Sequence, residues 1–270
     1  MALKRTIAAM SIVILGLLLT PARAAALGAT GTAARVSAAA TDTGPTTYLF
    51  DNHVRFIVGS RLSFDTGRWP PPHIAAWYGW TASDPDGICA QSLYSEEYTS
   101  DYVQFYDDVA ASARRARFTV VTDNREDSAA GSYVQYYVDD CAGNRTSADL
   151  DAFWVDQLQE GDLSYSGTWR TVHARRWSGG AGRTARAAGA TATFRFWHST
   201  GLVMPTGPGR GSFDLYVDGV LRRTVSLSRP TASVRAVVAE VDMGGASGGH
   251  VAMLRTTSAR PVTVDAAVIS

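Results

Sequence analysis

From Thr47 to the C-terminus the chain is a series of short apolar and aromatic runs separated by turn residues, with few stretches of helical period. The runs are Val54–Val58, Ile74–Trp80, Ala116–Val121, Ser132–Val138, Ala190–Trp197, Ser212–Val217, Thr224–Leu227, Val234–Val241, Val251–Leu254 and Val262–Val268. Runs of this length and spacing predict strands, and a chain built from them predicts an all-β sandwich or barrel. Asp218-Gly219 stands between two alternating apolar runs, which predicts a tight type I′ hairpin. Asp107–Arg115 reads as one short helical turn.

The N-terminus follows a different pattern. Lys4 and Arg5 precede an apolar run, Ile7–Leu19, and small residues follow at Ala22 and Ala24. This is the layout of a secretory signal peptide over 1–24, cleaved after Ala24 or Ala26. The run is shorter than the roughly 20 apolar residues of a membrane span. No later run reaches that length, so no stable membrane insertion is expected after removal. Residues 25–46 are rich in Ala, Thr, Gly and Ser and read as a flexible linker. Export predicts an oxidising compartment, and there the only two cysteines, Cys89 and Cys141, are most simply a structural disulfide.

Composition adds a boundary. The 270 residues, 46% of them hydrophobic, suffice for packed cores without metal or many disulfides. Equal numbers of basic and acidic residues, 25 each, exclude a simple polycationic nucleic-acid binder. Yet residues 47–157 carry 17 acids and 8 arginines, whereas 158–270 carry 7 acids and 13 arginines. The hinge is expected near Gln157–Leu163. Opposite signs on neighbouring units fit two readings: the units dock on each other, or the basic one faces an anionic partner.

Two phrases in the first half, Trp80-Thr-Ala-Ser-Asp-Pro-Asp-Gly87 and Tyr136-Tyr-Val-Asp-Asp-Cys-Ala-Gly-Asn144, resemble those of bacterial Ig-like and fibronectin type III-like modules. The resemblance covers about 50–155. It implies that both loops lie at one end of a sandwich and that Cys89 and Cys141 are neighbours. In the second half the phrases are Tyr165-Ser-Gly-Thr-Trp169, Gly189-Ala-Thr-Ala-Thr-Phe194, Gly207–Gly219 and Val264-Asp-Ala-Ala-Val268. They resemble a C-terminal sandwich module of secreted actinobacterial proteins, similar to galactose-binding-like, carbohydrate-binding-module-like jelly rolls. That implies two tandem β-sandwiches, 47–157 (Ig/fibronectin-like) and 158–270 (jelly-roll-like), the second with a carbohydrate-binding role. Ala266-Ala267 stands where the module has a bulky residue, and Arg195, Trp197 and His198 crowd a strand end that is otherwise small and polar.

Candidate chemistry is sparse. Gly245-Ala-Ser-Gly-Gly249 matches a nucleophile elbow in letters, but the glycines join two strand runs and read as a hairpin loop, where the elbow needs a strand-to-helix turn. Gly179-Gly-Ala-Gly182 lacks a phosphate-binding lysine and opens no helix. Asp84, Asp86, Asp139, Asp140 and Asn144 would gather at one sandwich end, as calcium ligands or as acceptors for their own turns. No histidine pair has zinc spacing, and no cofactor is expected.

Sugars stack on flat rings. Trp177 in an Arg/Ser/Gly loop and Trp197-His198 at a strand end are placed to offer them, and Arg210 to donate to hydroxyls or an anion. The Gly, Ser and Arg neighbours of Trp177 predict an exposed ring, whereas Trp169 and Phe194 read as core. The resulting expectation is a non-catalytic secreted protein. Its partner is an extracellular carbohydrate or cell-wall polymer, bound by Trp177, Trp197, His198 and Arg210. A structural or protein-interaction scaffold is the alternative, and a secreted hydrolase the third.

Overall fold

The computed structural model describes residues 44–49, 54–63, 72–98, 103–113, 115–122, 131–149, 155–244 and 248–270. The expected signal peptide and nearly all of the expected linker lie outside the described residues. The chain is all-β, as the run-and-turn pattern predicts, with one short 3-10 turn at Ser178–Gly180 among the described residues.

In the first half, strands β1 (Thr46–Leu49), β2 (Arg55–Phe56) and β6 (Arg115–Val121) all pair antiparallel with the long strand β3 (His73–Ser83). Strands β4 (Ile88–Tyr98), β5 (Val103–Val109), β7 (Gly131–Asp140) and β8 (Arg145–Asp149) form a second sheet in the order β5-β4-β7-β8. On β3, Ile74, Ala76, Tyr78, Trp80 and Ala82 alternate inward, as the period of two requires. The Trp80 ring meets the Tyr136 ring with centroids 4.6 Å apart.

Beside them, the buried Gln91 accepts from Trp80 Nε1 at 2.9 Å and from the Tyr136 hydroxyl. Its amide donates to the carbonyls of Ala110 at 2.9 Å and Ala111 at 2.6 Å. This corrects the helical turn expected over Asp107–Arg115. β5 runs to Val109, and a turn closed by the Ala113 N–H to the Ala110 carbonyl at 2.7 Å, and bound from the core by Gln91, stands before β6.

In the second half, one sheet has the order β10 (Ser164–Ser166), β13 (Thr191–Phe196), β18 (His250–Thr256), β15 (Ser212–Val217), β16 (Val220–Ser226). It faces a three-stranded sheet, β11 (Trp169–His173), β12 (Ala181–Ala185), β19 (Val262–Val264), and a four-stranded one, β17 (Ser233–Asp242), β14 (Ser199–Thr206), β20 (Ala266–Ile269), β9 (Asp156–Gln159). Phe194, Phe196, Phe213, Leu215 and Leu254 pack from the first sheet against Leu202, Met204, Val241, Val262 and Val264 from the other two. Asp218 and Gly219 have φ of 50° and 80°, so the β15–β16 turn is the type I′ turn expected. The Gly245–Gly249 stretch is not a hairpin, however. Its flanking strands β17 and β18 lie in different sheets and are not hairpin partners, and residues 245–247 lie outside the described residues.

The four-stranded sheet serves both halves. Every residue of β14 is buried. Leu202 and Met204 enter the second core while Val203 enters the first, because successive side chains leave a strand on opposite faces. On β20, Ala266 and Val268 face the first core and Ala267 the second. The small Ala266-Ala267 pair thus lies fully buried between two packed layers. The register of β14 with β17 shifts between Leu202 and Val203, and this bulge lets Val237 join the first core and Ala239 the second.

The segment from Val54 to Leu62 seals the contact. Gly59 and Leu62 donate backbone hydrogen bonds to Val237 and Arg235 at 2.8 and 3.0 Å, and Val237 returns one to Ser60 at 2.9 Å. Arg55 Nε lies 3.1 Å from Glu240 and 2.8 Å from Asp242. The halves therefore dock, which resolves one side of the charge question. These ion pairs run against the net imbalance, using an arginine of the acidic half and two acids of the basic half.

Candidate functional site

Trp177 and Arg210 come together; Trp197 and His198 lie elsewhere. The outer face of the β11-β12-β19 sheet forms an open groove of about 660 Å³. Register places Arg170 opposite Thr184, and Thr184 opposite Thr263, in one row across the three strands. Thr184 and Thr263 share a hydrogen bond at 2.8 Å, and Arg210 Nη1 donates to Thr263 Oγ1 at 3.1 Å. Arg176 and Arg186 also line the groove, with Pro208 and Pro261 at the wall. Burial, with the Arg176 charge behind it, lowers the pKa of Arg210 below the usual guanidinium value.

Trp177 is only 4% exposed, which corrects the expected exposed ring. Its benzo edge lies over Gly182, where a Cβ would approach within 2.8 Å, so glycine opens the space the indole occupies. The ring still lines the groove, and its Nε1–H has no hydrogen-bond partner among the described residues. Next to it Ser178 donates its N–H to Asp265 Oδ1 at 2.8 Å, and its hydroxyl accepts from Gln157. Gln157 accepts in turn from Thr122 of the first half at 3.1 Å. Gln157, expected in a hinge, is thus part of β9 and buried; the turn follows at Glu160–Asp162. Asp265 is fully buried, with Oδ2 unpaired among the described residues, and desolvation pushes its pKa up to about 7.

Trp197 is 61% exposed between β13 and β14, beside Gly249. His198 is held by its backbone: its N–H donates to Ser270 at 2.7 Å and its carbonyl accepts from Met243 at 2.8 Å. Trp169 packs on the second core against the Tyr165 ring, and Phe194 is buried, both as expected.

The acidic end of the first half is built from turns. Asp84 accepts from the N–H of Asp86 at 2.8 Å, and Asp140 takes the N–H and side-chain amide of Asn144 at 2.7 and 2.8 Å. The Asn144 bonds, with those from Gly143 and Ala142, outweigh desolvation and lower the pKa of Asp140. Arg145 grips both oxygens of Asp139 at 2.6 and 2.8 Å. Cys89 and Cys141 form the disulfide, with Cα atoms 4.9 Å apart.

Arg170, Arg176, Arg186, Thr184 and Thr263 were not singled out from sequence. Arg170 lies on β11, Thr184 on β12 and Thr263 on β19, with Arg176 and Arg186 in flanking turns, and no local pattern shows that these segments are neighbours.

No family model and no curated protein matches the chain. Among solved structures, it is similar to the Agl-KA catalytic domain at 16% identity and TM-score 0.31, over 43% of this chain and 27% of that one. The chain thus spans about a quarter of that protein's length. It is also similar to the carbohydrate-binding module CBM36 in complex with calcium and xylotriose, at 16% identity and TM-score 0.31, over 41% of this chain and 96% of that one. A third is CBM35 from Cellvibrio japonicus Abf62, at 20% identity and TM-score 0.32, over 43% and 93%.

Proposed function

We propose that this chain is an exported, non-catalytic binding protein that recognises extracellular carbohydrate or a cell-envelope polymer through its second sandwich unit, 158–270. The observation that carries this is the groove, where threonine hydroxyls, guanidinium donors and an indole edge converge on one open face. A shallow site of this kind binds weakly, with Kd of about 10 μM to 1 mM. The test is retention of the full chain on insoluble polysaccharides and isolated cell walls. Val172 lines the groove and is 41% exposed, so Val172→Glu blocks the floor without touching a core. Retention lost in this variant with an unchanged melting curve is the expected result. No retention on any matrix overturns the proposal.

A second reading, an interaction scaffold, is favoured by the exposed Trp197, Val220, Leu221 and Val251 of the β13–β14 turn and the five-stranded sheet. Binding insensitive to Val172→Glu but lost in Trp197→Ala would favour it.

A further inference from the structure

We infer that the groove is built for an acidic polysaccharide, one whose carboxylate, sulfate or phosphate groups are read by Arg170, Arg176, Arg186 and Arg210. This rests on the carbohydrate-binding reading and names its ligand class. Four guanidinium groups line one face, and no carboxylate is among the lining residues. None of the four makes a salt bridge among the described residues. Arg210 is half-buried beside Arg176, and among the described residues its side-chain hydrogen bond is to the neutral Thr263 hydroxyl. A half-buried cation next to a like charge is unfavourable until an anion joins them. Asp265, which accepts from the Ser178 N–H behind the Trp177 loop, is enclosed and does not line the groove.

Among the described residues, the ion pairs between the halves join Arg55 to Glu240 and Asp242 and use none of these four arginines. Arg170 and Thr263 stand two strand spacings apart, about 10 Å. With Arg210 reaching over Thr263, charges flank the groove on both sides while threonines line its floor. A glycan carrying both charges and hydroxyls matches that alternation better than a simple polyanion.

The full chain is titrated with polygalacturonate, dextran sulfate, a phosphorylated mannan, uncharged dextran and duplex DNA, at low and high ionic strength. At least one acidic glycan is expected to bind about ten-fold or more tighter than dextran, and to weaken as salt rises. The three charged glycans distinguish the anion read. Arg170→Gln/Arg176→Gln/Arg186→Gln, all at exposed positions, should lose about ten-fold or more in affinity with unchanged melting. Arg222→Gln/Arg223→Gln, exposed on β16 and outside the groove, should lose nothing. Equal, salt-insensitive binding of dextran overturns the acidic ligand and leaves carbohydrate binding standing. Preference for DNA over every glycan overturns both, as does retention on nothing.

Discussion

Gly201 on β14 lies against Phe56 of the first half: a Cβ built there would stand 3.1 Å from the Phe56 Cβ and 3.0 Å from Val268 Cγ2. A side chain reduced to a single hydrogen at Gly201 is what lets the two halves close on one shared sheet. Gly201→Val is expected to destabilise by about 1–3 kcal/mol through overpacking, and Phe56→Ala by about 3–5 kcal/mol through the cavity it leaves. Chemical denaturation of the full chain checks both, and an unchanged midpoint in either variant contradicts the shared layer.

The same packing predicts the behaviour of the isolated segment 158–270. Cutting there removes the cover from Val203, Val237, Ala266 and Val268 and separates the Asp156–Gln157 end of β9. The fragment is expected to melt below the full chain and to bind a hydrophobic dye. A fragment as stable as the parent would show that the interface contributes nothing.

Asp265 makes stability depend on pH. Its carboxyl is raised from 3.8 to about 7, desolvation outweighing the Ser178 N–H and the Arg235 charge, with Glu160 raising it further. Between these values the folded state holds a proton that the unfolded state has released, so stability falls as pH rises from about 4 to about 7. The loss is about 4 kcal/mol at most. Asp265→Asn keeps an acceptor for Ser178 and carries no charge, so it should flatten this slope and stabilise the protein above neutrality. Thermal melts across the range, wild type against variant, decide it; parallel curves would refute the assignment.

Gln91 joins Trp80, Tyr136 and the Ala110–Ala113 turn through one carboxamide. Gln91→Leu removes all these partners at once and leaves buried donors and acceptors unsatisfied, at about 1–3 kcal/mol for each. Loss of cooperative folding, or a midpoint shift well beyond that of a surface glutamine variant, is the expected outcome by urea titration.

Cys89 and Cys141 close a loop of 52 residues. In the chain-entropy model their link is worth about 4 kcal/mol, so reduction or Cys89→Ser/Cys141→Ser should lower unfolding free energy by about that amount. A reduced protein with the stability of the oxidised one would exclude a structural role.

Local signals carried the all-β class, most of the strands in the runs, the Asp218-Gly219 turn and the disulfide, because each is written in alternation, turn chemistry or a lone pair of thiols. The strand that organises the molecule, Ser199–Thr206, was not legible. It is buried on both faces, so it has no polar alternation, and Gly201 and Pro205 read as breakers. The proline sits where the β14–β17 register slips, which is where a strand tolerates a residue with no N–H.

Residue type alone pointed to Trp177 and Arg210, yet not to the burial of that indole, which depends on Gly182 across the chain reversal. Nor could it gather Arg170, Arg176, Arg186 and Thr263, since strand pairing between β11, β12 and β19 brings together residues up to 93 positions apart. Sequence by itself determined the all-β class and the strands and turn that carry a local signal, because those depend on neighbours along the chain. Tertiary structure decided which faces meet, what they bury and where the surplus arginines converge, because those depend on register and layer order.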